Sequence, residues 1–182
     1  MTLLVNLFGG PGAGKSTMMA GIFSELKLHG INAEMAPEFA KELCWENRHE
    51  TMLCQPYVFG KQLHRISRLQ KAGVACIVTD SPLLLSSVYG GHWPTSFHQA
   101  VRDIERTFHL LDIIVHRVKP YNPKGRMQAE DEAIVLDGRI ERVLYSEGRW
   151  FDNMRVPGNA YGVRLAVDSV LDALKVDYQV GG

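Results

Sequence analysis

The sequence carries no net charge and no cysteine pattern of a structural or metal-binding kind. Twenty basic residues balance twenty acidic ones among 182 residues. This balance excludes the strong overall positive field that draws many proteins to nucleic acid or to anionic membranes. Any basic binding site must therefore be local. Cys44, Cys54 and Cys76 are odd in number and form no Cys-x-x-Cys pair, so they predict free thiols used in packing.

Long apolar runs, internal repeats and low-complexity tracts are also missing. No segment approaches the ~20 apolar residues that a membrane-spanning helix needs, and the apolar start of the chain runs into glycines. We therefore expect a cytoplasmic protein that does not associate with membranes, as a monomer or a homodimer. The hydrophobic content of 46% suffices for the core of a single domain over residues 1–182.

Short strand-like segments alternate with longer helix-like ones along the chain. This rhythm predicts an α/β fold, a three-layer sandwich in which a parallel sheet of about five strands is covered by helices on both faces. The predicted strands are residues 2–8, 31–36, 74–79, 112–118 and 151–156. The predicted helices are residues 16–29, 37–47, 56–71, 96–110, 129–146 and 160–175.

A glycine-rich segment follows the first predicted strand. Residues 9–16 meet the spacing Gly-x-x-x-x-Gly-Lys-Ser and open a helix, which is the context that a phosphate-binding P-loop requires. Its backbone N–H groups and the helix N-terminus form an anion site, and the serine hydroxyl is suited to ligate Mg²⁺. The sequence thus predicts an ATP site with bound Mg²⁺. The predicted nucleotide-binding residues here are Gly10, Gly12, Ala13, Gly14, Lys15, Ser16 and Thr17, with Lys15 also catalytic and Ser16 also a metal ligand.

Two acidic residues stand at the ends of predicted strands. Asp80 closes the apolar strand 74–79, where a second ligand to Mg²⁺ is expected; alternatively, it caps a helix that begins near Pro82. Glu38 follows the second strand, where ligands bind in open α/β folds. It is a candidate catalytic residue, as general base or acceptor ligand, and the alternative is a first-turn residue favoured by the helix dipole.

A basic, proline-containing connection over residues 119–130 is a candidate lid. We expect Arg126 to stabilise charge on the γ-phosphate as a catalytic residue, and Lys124 to bind the nucleotide. Arg139 and Arg142 on the next helix fit an ordinary solvated face with helix salt bridges.

The sequence does not identify the residues that bind the acceptor. Several aromatic side chains could stack on a ring and several polar ones on the 56–71 helix could bind a polar group, but such aromatic residues are more often part of the core, and an amphipathic helix needs a polar face in any case. The aromatic candidates are Phe39, Trp45, Tyr57, Tyr89 and Trp93. The polar candidates are Gln62, Arg65 and Arg68.

Taken together, these segments resemble the P-loop kinases of the nucleoside and nucleotide kinase group, in particular a phage-type branch related to the nicotinamide-riboside kinase domain. The resemblance spans nearly the whole chain and is carried by residues 8–17, 37–42, 79–83 and 124–126. It implies that Glu38 touches the acceptor hydroxyl, that Thr17 lies near the α-phosphate, and that Lys119 belongs to the lid. Asp80-Ser81 stands where nucleoside kinases commonly have Asp-Arg, so the resemblance does not fix the acceptor.

The predicted activity is an ATP- and Mg²⁺-dependent kinase. Its acceptor would be a hydroxyl of a nucleoside, a nucleotide or a related small molecule. One alternative is a kinase that phosphorylates the hydroxyl of hydroxymethylpyrimidine bases in phage DNA. Such a kinase would act in the host cytoplasm, and it would need a local basic patch to bind the DNA. The other alternative is an NTP hydrolase without an acceptor.

Overall fold

The computed structural model describes residues 1–120, 129–149 and 154–180, with the side chains of 176–180 left out. Within these ranges it contains a five-stranded sheet in the order β2-β3-β1-β4-β5. Every neighbouring pair of strands is parallel. The strands are β1 (Leu3–Phe8), β2 (Ala33–Ala36), β3 (Cys76–Thr79), β4 (His109–His116) and β5 (Met154–Pro157).

Helices connect the strands and cover the sheet. They are α1 (Lys15–Leu28), α2 (Phe39–Trp45), α3 (His49–Leu53), α4 (Gln55–Lys71), α5 (Leu85–Tyr89), α6 (Thr95–Glu105), α7 (Glu130–Ser146) and α8 (Ala160–Val180).

Both faces of the sheet are buried, as an apolar central strand such as β1 predicts. Alternate residues of β1 point to opposite faces. Leu3, Val5 and Leu7 join one core with residues of α1 and α8. Leu4 and Phe8 join a second core with residues of α4, α5, α6 and α7. The predicted α/β sandwich around a five-stranded parallel sheet is therefore confirmed.

Several element boundaries differ from the predicted ones. The helix predicted over 96–110 ends at Glu105, and β4 begins at His109 instead of residue 112. The chain turns there through backbone hydrogen bonds from Thr107 N to Ile104 O and from Phe108 N to Glu105 O. The short helices α3 and α5 were not predicted individually, and β2 and β3 each begin two residues later than predicted. Residues 151–153 of the predicted last strand lie outside the described residues.

The parallel arrangement places the C-terminal ends of four strands at one edge. The phosphate loop follows β1, Glu38 follows β2, Asp80 follows β3 and Arg117 follows β4. This edge is where open α/β sheets bind their ligands, and it positions the candidate site.

The cysteines are free, as predicted. Burial in β3 raises the pKa of Cys76 to about 12, so its thiol stays protonated and acts as a packing group. Within the described ranges, no helix combines the length and apolar character needed to cross a membrane.

Candidate active site

The phosphate loop curls between β1 and α1. Gly14 precedes α1 with φ of 103°, a left-handed conformation that a side chain would strain. Lys15 folds back over the loop, and its Nζ donates to the carbonyl oxygens of Gly9 at 2.6 Å and Gly10 at 3.0 Å. The N–H of Ala13 donates to Gly10 O at 3.2 Å. The loop is thus closed on itself around the lysine ammonium.

The charge of Lys15 is held in a partly desolvated position. Burial lowers the pKa of its ammonium, while the carboxylates of Glu38, Asp80 and Asp137 act in the opposite direction. Desolvation makes a cation receptive to an anionic ligand, because the ligand replaces the lost hydration. This environment suits the binding of phosphates.

Asp80 connects the phosphate loop to the segment that follows β2. Its Oδ2 accepts from Ser16 Oγ at 2.5 Å, and its Oδ1 accepts from the backbone N–H of Glu38 at 2.9 Å. The carboxylate is buried. The helix nearest in sequence, α5, begins only at Leu85 with Leu84 before it, so Asp80 does not cap it. Both hydrogen bonds of Asp80 are therefore made at the C-terminal edge of the sheet, where the candidate site lies.

Glu38 lies in an extended conformation immediately before α2, with no capping hydrogen bond from its side chain to that helix. The surrounding backbone is fixed by buried polar groups. Gln62 Oε1 accepts from Phe39 N at 3.1 Å, and Gln62 Nε2 donates to Ala36 O at 3.2 Å and to Thr79 Oγ1 at 3.2 Å. Glu38 therefore stands at a well-defined position beside Asp80.

A cleft of about 390 Å³ lies beside the phosphate loop. This is within the size range of small-molecule sites. Its lining includes the loop and helix residues Pro11, Gly12, Gly14, Lys15, Ser16 and Thr17. The other lining residues, which we call the chamber, are Glu38, Ala40, Lys41, Cys44, Trp45, Met52, Leu53, Gln55, Val58, Ser81, Leu85, Ser86 and Tyr89.

The chamber contains neutral hydrogen-bonding groups near Glu38. Burial, with the nearby carboxylates of Glu38 and Asp137, raises the pKa of Tyr89. Its hydroxyl therefore stays protonated and can donate. Burial and Glu38 also raise the pKa of Cys44. Ser81, Ser86 and Gln55 were not among the predicted site residues; Ser86 lies in α5 and Gln55 opens α4, and neither helix carries a motif there.

The other acceptor candidates separate into two groups. Trp45 lines the chamber and is 65% exposed. Phe39 is buried in edge contact with Tyr57 at 5.6 Å between ring centroids, and Trp93 packs against Phe97. Phe39, Tyr57 and Trp93 do not line the cleft.

The polar candidates on α4 also lie outside the cleft lining. Gln62 makes the hydrogen bonds to Phe39, Ala36 and Thr79 that are given above. Arg65 donates to Pro37 O at 3.0 Å and to Glu42 Oε1 at 2.6 Å. The lining of the cleft does not include Arg68.

The oxygen groups at the loop suit a magnesium ion. Ser16 and Asp80 supply one hydroxyl and one carboxylate, and Mg²⁺ is commonly held by one or two such groups together with phosphates and water. A group of three or more His, Cys, Asp or Glu able to hold a metal is absent from the part of the chain that the structure describes.

A second set of contacts holds the outer side of the phosphate loop. Asp137 of α7 accepts a hydrogen bond from Gly10 N on Oδ1. Arg117 donates to Pro11 O at 2.6 Å and to Asp137 Oδ2 at 3.0 Å. Neither residue was among the sequence-predicted site residues. Arg117, like Glu38 and Asp80, follows a parallel strand, which is the signal that could have found it.

The remaining predicted residues are distributed as follows. Gly10 and Ala13 belong to the loop but not to the cleft lining. Lys119 is exposed and does not line the cleft. Lys124 and Arg126 lie outside the described residues, as does most of the predicted lid over 119–130. Arg142 donates to Gly138 O at 3.2 Å on its own helix.

Two solved structures of NadR share the fold of this chain. NadR in complex with NR superposes with a TM-score of 0.70 at 18% identity, over 94% of this chain and 51% of that one. NadR in complex with NAD and AMP-PNP gives 0.66 at 16% identity, over 94% and 49%. The chain thus spans about half the length of these structures. Models of known protein families and searches of curated proteins give no match. At these identities the likeness shows the fold alone.

Proposed function

We propose that the protein is an ATP-dependent phosphotransferase that moves the γ-phosphate of ATP to a hydroxyl of a small acceptor. The observation that carries this proposal is that one cleft is lined by Lys15 and Ser16 of the phosphate-loop segment and also by Glu38, which Asp80 holds next to Ser16. A hydrolase needs room for one water molecule, whereas this chamber presents Gln55, Ser81, Ser86 and Tyr89, whose polar groups can bind an organic acceptor. NadR, solved both with NR and with AMP-PNP, supports the same class of reaction.

The chamber favours an acceptor without a phosphate group. Among the described residues that line it, Lys41 is the one cation, and Glu38 contributes a negative charge. Arginine, the usual partner of phosphates and carboxylates, is absent from the described lining. We therefore propose a nucleoside or a similar polyhydroxy compound before a nucleotide.

The side chains present would divide the chemistry between them. The acceptor oxygen attacks the γ-phosphorus, the bond to the β-phosphate oxygen breaks, and ADP leaves. Glu38 accepts the proton of the acceptor hydroxyl, and Lys15 balances charge on the β- and γ-phosphates. Mg²⁺ would be held by Ser16 and Asp80 and would neutralise charge on the phosphate oxygens. Lys124 and Arg126 are proposed to add positive charge from the 119–130 segment.

The resemblance to phage-type kinases suggests a second kind of acceptor, a modified base in DNA. A hydroxymethylpyrimidine within DNA presents the same primary hydroxyl, but the described chamber offers few cations for a nucleic-acid backbone. We therefore treat DNA as an outcome of the test rather than as the leading acceptor.

The test is transfer of label from γ-labelled ATP to separate acceptor pools. The pools are nucleosides including nicotinamide riboside, nucleotides, small hydroxylated metabolites and hydroxymethylated DNA. We expect label in the nucleoside pool, dependence on Mg²⁺, and a loss of at least ~100-fold in Lys15→Ala. Lys27→Ala, near the far end of the same helix, is the matched control and should keep the parent rate. Label found only as free phosphate in every pool would refute the proposal in favour of a hydrolase.

A further inference from the structure

Helix α7 makes polar contact with the outer side of the phosphate loop. The N–H of Gly10 donates to Asp137 Oδ1, although most N–H groups of such a loop are expected to face the phosphates. Asp137 Oδ2 accepts from Arg117 at 3.0 Å, and Arg117 also donates to Pro11 O at 2.6 Å. Gly10, Pro11, Arg117 and Asp137 form a closed ring of contacts, which we call the loop clamp.

The approach of α7 to the loop also explains a glycine that the P-loop spacing does not require. Position 10 is free in the Gly-x-x-x-x-Gly-Lys-Ser pattern. A Cβ on Gly10 would lie 2.6 Å from both Ala133 O and Asp137 Oδ1. Any side chain there would push the helix off the loop. The residue type at position 10 is thus set by contact with α7.

The clamp acts on the same peptide group that holds Lys15. Gly10 N, which donates to Asp137, belongs to the Gly9–Gly10 peptide group, and the carbonyl oxygen of that group, Gly9 O, accepts from Lys15 Nζ at 2.6 Å. A shift of this peptide would therefore move the carbonyl that positions the lysine. Charge-assisted hydrogen bonds such as those of Asp137 are about twice as strong as neutral ones, so the carboxylate has the strength to fix it.

We propose that Asp137 is a positioning residue for magnesium-ATP, acting through the loop clamp on the Gly10–Pro11 limb of the phosphate loop. It does so without touching the nucleotide and from the helix that follows the 119–130 segment. The inference rests on the proposed nucleotide site but not on the identity of the acceptor. Its consequence is that nucleotide affinity depends on a side chain outside the P-loop motif.

The test measures the dissociation constant of magnesium-ATP by calorimetry, without acceptor and well below the melting temperature of each variant. Asp137→Ala should weaken binding about tenfold, the effect of losing one charge-assisted hydrogen bond. Asp137→Asn keeps an acceptor for Gly10 but loses the charge, and should weaken binding about threefold. Asp131→Asn on the exposed side of the same helix is the matched control and should bind like the parent.

A double-mutant cycle separates the clamp from a general loss of stability. If Arg117 and Asp137 act as one unit, the effects of Arg117→Ala and Asp137→Ala on affinity are not additive. A purely structural role for Asp137 would lower the melting temperature and leave the affinity of the folded protein unchanged.

Parent-like affinity in Asp137→Ala would overturn the inference. If that variant does not fold, the isosteric Asp137→Asn decides in the same way, and parent-like affinity there overturns it. A parent protein that binds no magnesium-ATP would refute the proposed function itself. That outcome is distinct from a parent that binds ATP while both Asp137 variants bind it equally well.

Discussion

Asp80 is the residue through which the two halves of the candidate site meet. One carboxylate oxygen accepts from Ser16, which opens α1, and the other accepts from the backbone of Glu38, which precedes α2. Because its carboxylate is buried, these hydrogen bonds are not weakened by competition with water. The position of Glu38 relative to the phosphate loop therefore depends on Asp80.

We expect Asp80 and Glu38 to differ in the kind of defect that their substitution causes. Asp80→Asn should raise the Mg²⁺ concentration needed for half-maximal activity and slow every reaction that uses ATP. Glu38→Gln should leave the affinity for magnesium-ATP within about twofold and lower the rate of transfer to the acceptor by ~100-fold or more. Titration of Mg²⁺ and of ATP on both variants provides the measurement.

The outcome that contradicts the role of Glu38 is an unchanged transfer rate in Glu38→Gln. If Glu38 only stabilises the start of α2, the substitution costs at most ~1 kcal/mol of folding free energy. Its melting temperature would then fall slightly while catalysis stayed intact. Glu42→Gln on the same helix is the control for a change of surface charge.

The strand-end rule explains which site residues could be predicted. Lys15 and Ser16 belong to a motif, and Asp80 and Glu38 follow apolar strands whose parallel order brings their ends together. Asp137 could not be found this way, because its role depends on how α7 packs on the loop. A helical aspartate among other acidic residues has the same local pattern whether it meets solvent or a glycine N–H.

At the scale of elements, α4 ties the site edge to the sheet through one buried side chain. Gln62 is 2% exposed and makes three hydrogen bonds to groups of α2, β2 and β3. The amphipathic pattern of α4 placed Gln62 on a polar face. In the structure Gln62 is not on a solvated face. Its side-chain amide provides hydrogen-bond partners for buried groups of α2, β2 and β3, as buried polar groups require.

Replacing Gln62 by leucine should lower the free energy of unfolding by about 2–4 kcal/mol. The substitution fills a similar volume but leaves the Phe39 N–H and the Ala36 C=O with fewer partners, and each buried polar group left unsatisfied costs about 1–3 kcal/mol. Urea unfolding followed by circular dichroism measures the change. Gln70→Leu, two turns further along α4, should change the stability by less than ~1 kcal/mol. Equal effects at both positions would mean that the Gln62 hydrogen bonds add nothing to stability.

The end of α6 shows where periodicity fails for an element boundary. Ile104, Phe108 and Leu111 are spaced as on one helical face, yet the helix ends at Glu105. The Glu105 carboxylate is buried and bonds to Leu84 N at 3.2 Å and to Arg149 at 2.5 Å. Arg149 also contacts Asp112 of β4 at 2.6 Å. These long-range ion pairs hold the turn between α6 and β4, and no local pattern encodes them.

At the scale of the molecule, the site is assembled by the sheet topology. Strand β1 lies in the centre of the sheet, and residues that follow the strands on its two sides make side-chain contacts with the phosphate-loop segment. On the β3 side these are Asp80 and, beyond it, Glu38; on the β4 side they are Arg117 and, through it, Asp137. The overall α/β architecture was predictable because it needs only the order of strands and helices. The two-sided support of the loop required the strand order, which the sequence did not give.

This arrangement predicts that magnesium-ATP stabilises the whole protein against unfolding. Burial lowers the pKa of Lys15, so its ammonium is held in the loop at a cost that bound phosphates would relieve. The phosphates would bind only the folded loop. A ligand present at a hundredfold excess over its dissociation constant adds about 2.7 kcal/mol of stability. For a chain of this size that corresponds to a rise of roughly 5–10 °C in melting temperature.

Thermal unfolding with and without magnesium-ATP measures this rise, and adenosine and Lys15→Ala identify its origin. Adenosine lacks the phosphates and should give a much smaller shift at the same concentration. In Lys15→Ala the shift produced by magnesium-ATP should largely disappear, whereas Lys27→Ala should retain it. If Lys15→Ala were stabilised as much as the parent, the nucleotide would be binding away from the phosphate loop, because only a site that uses the ammonium loses binding energy when it is removed.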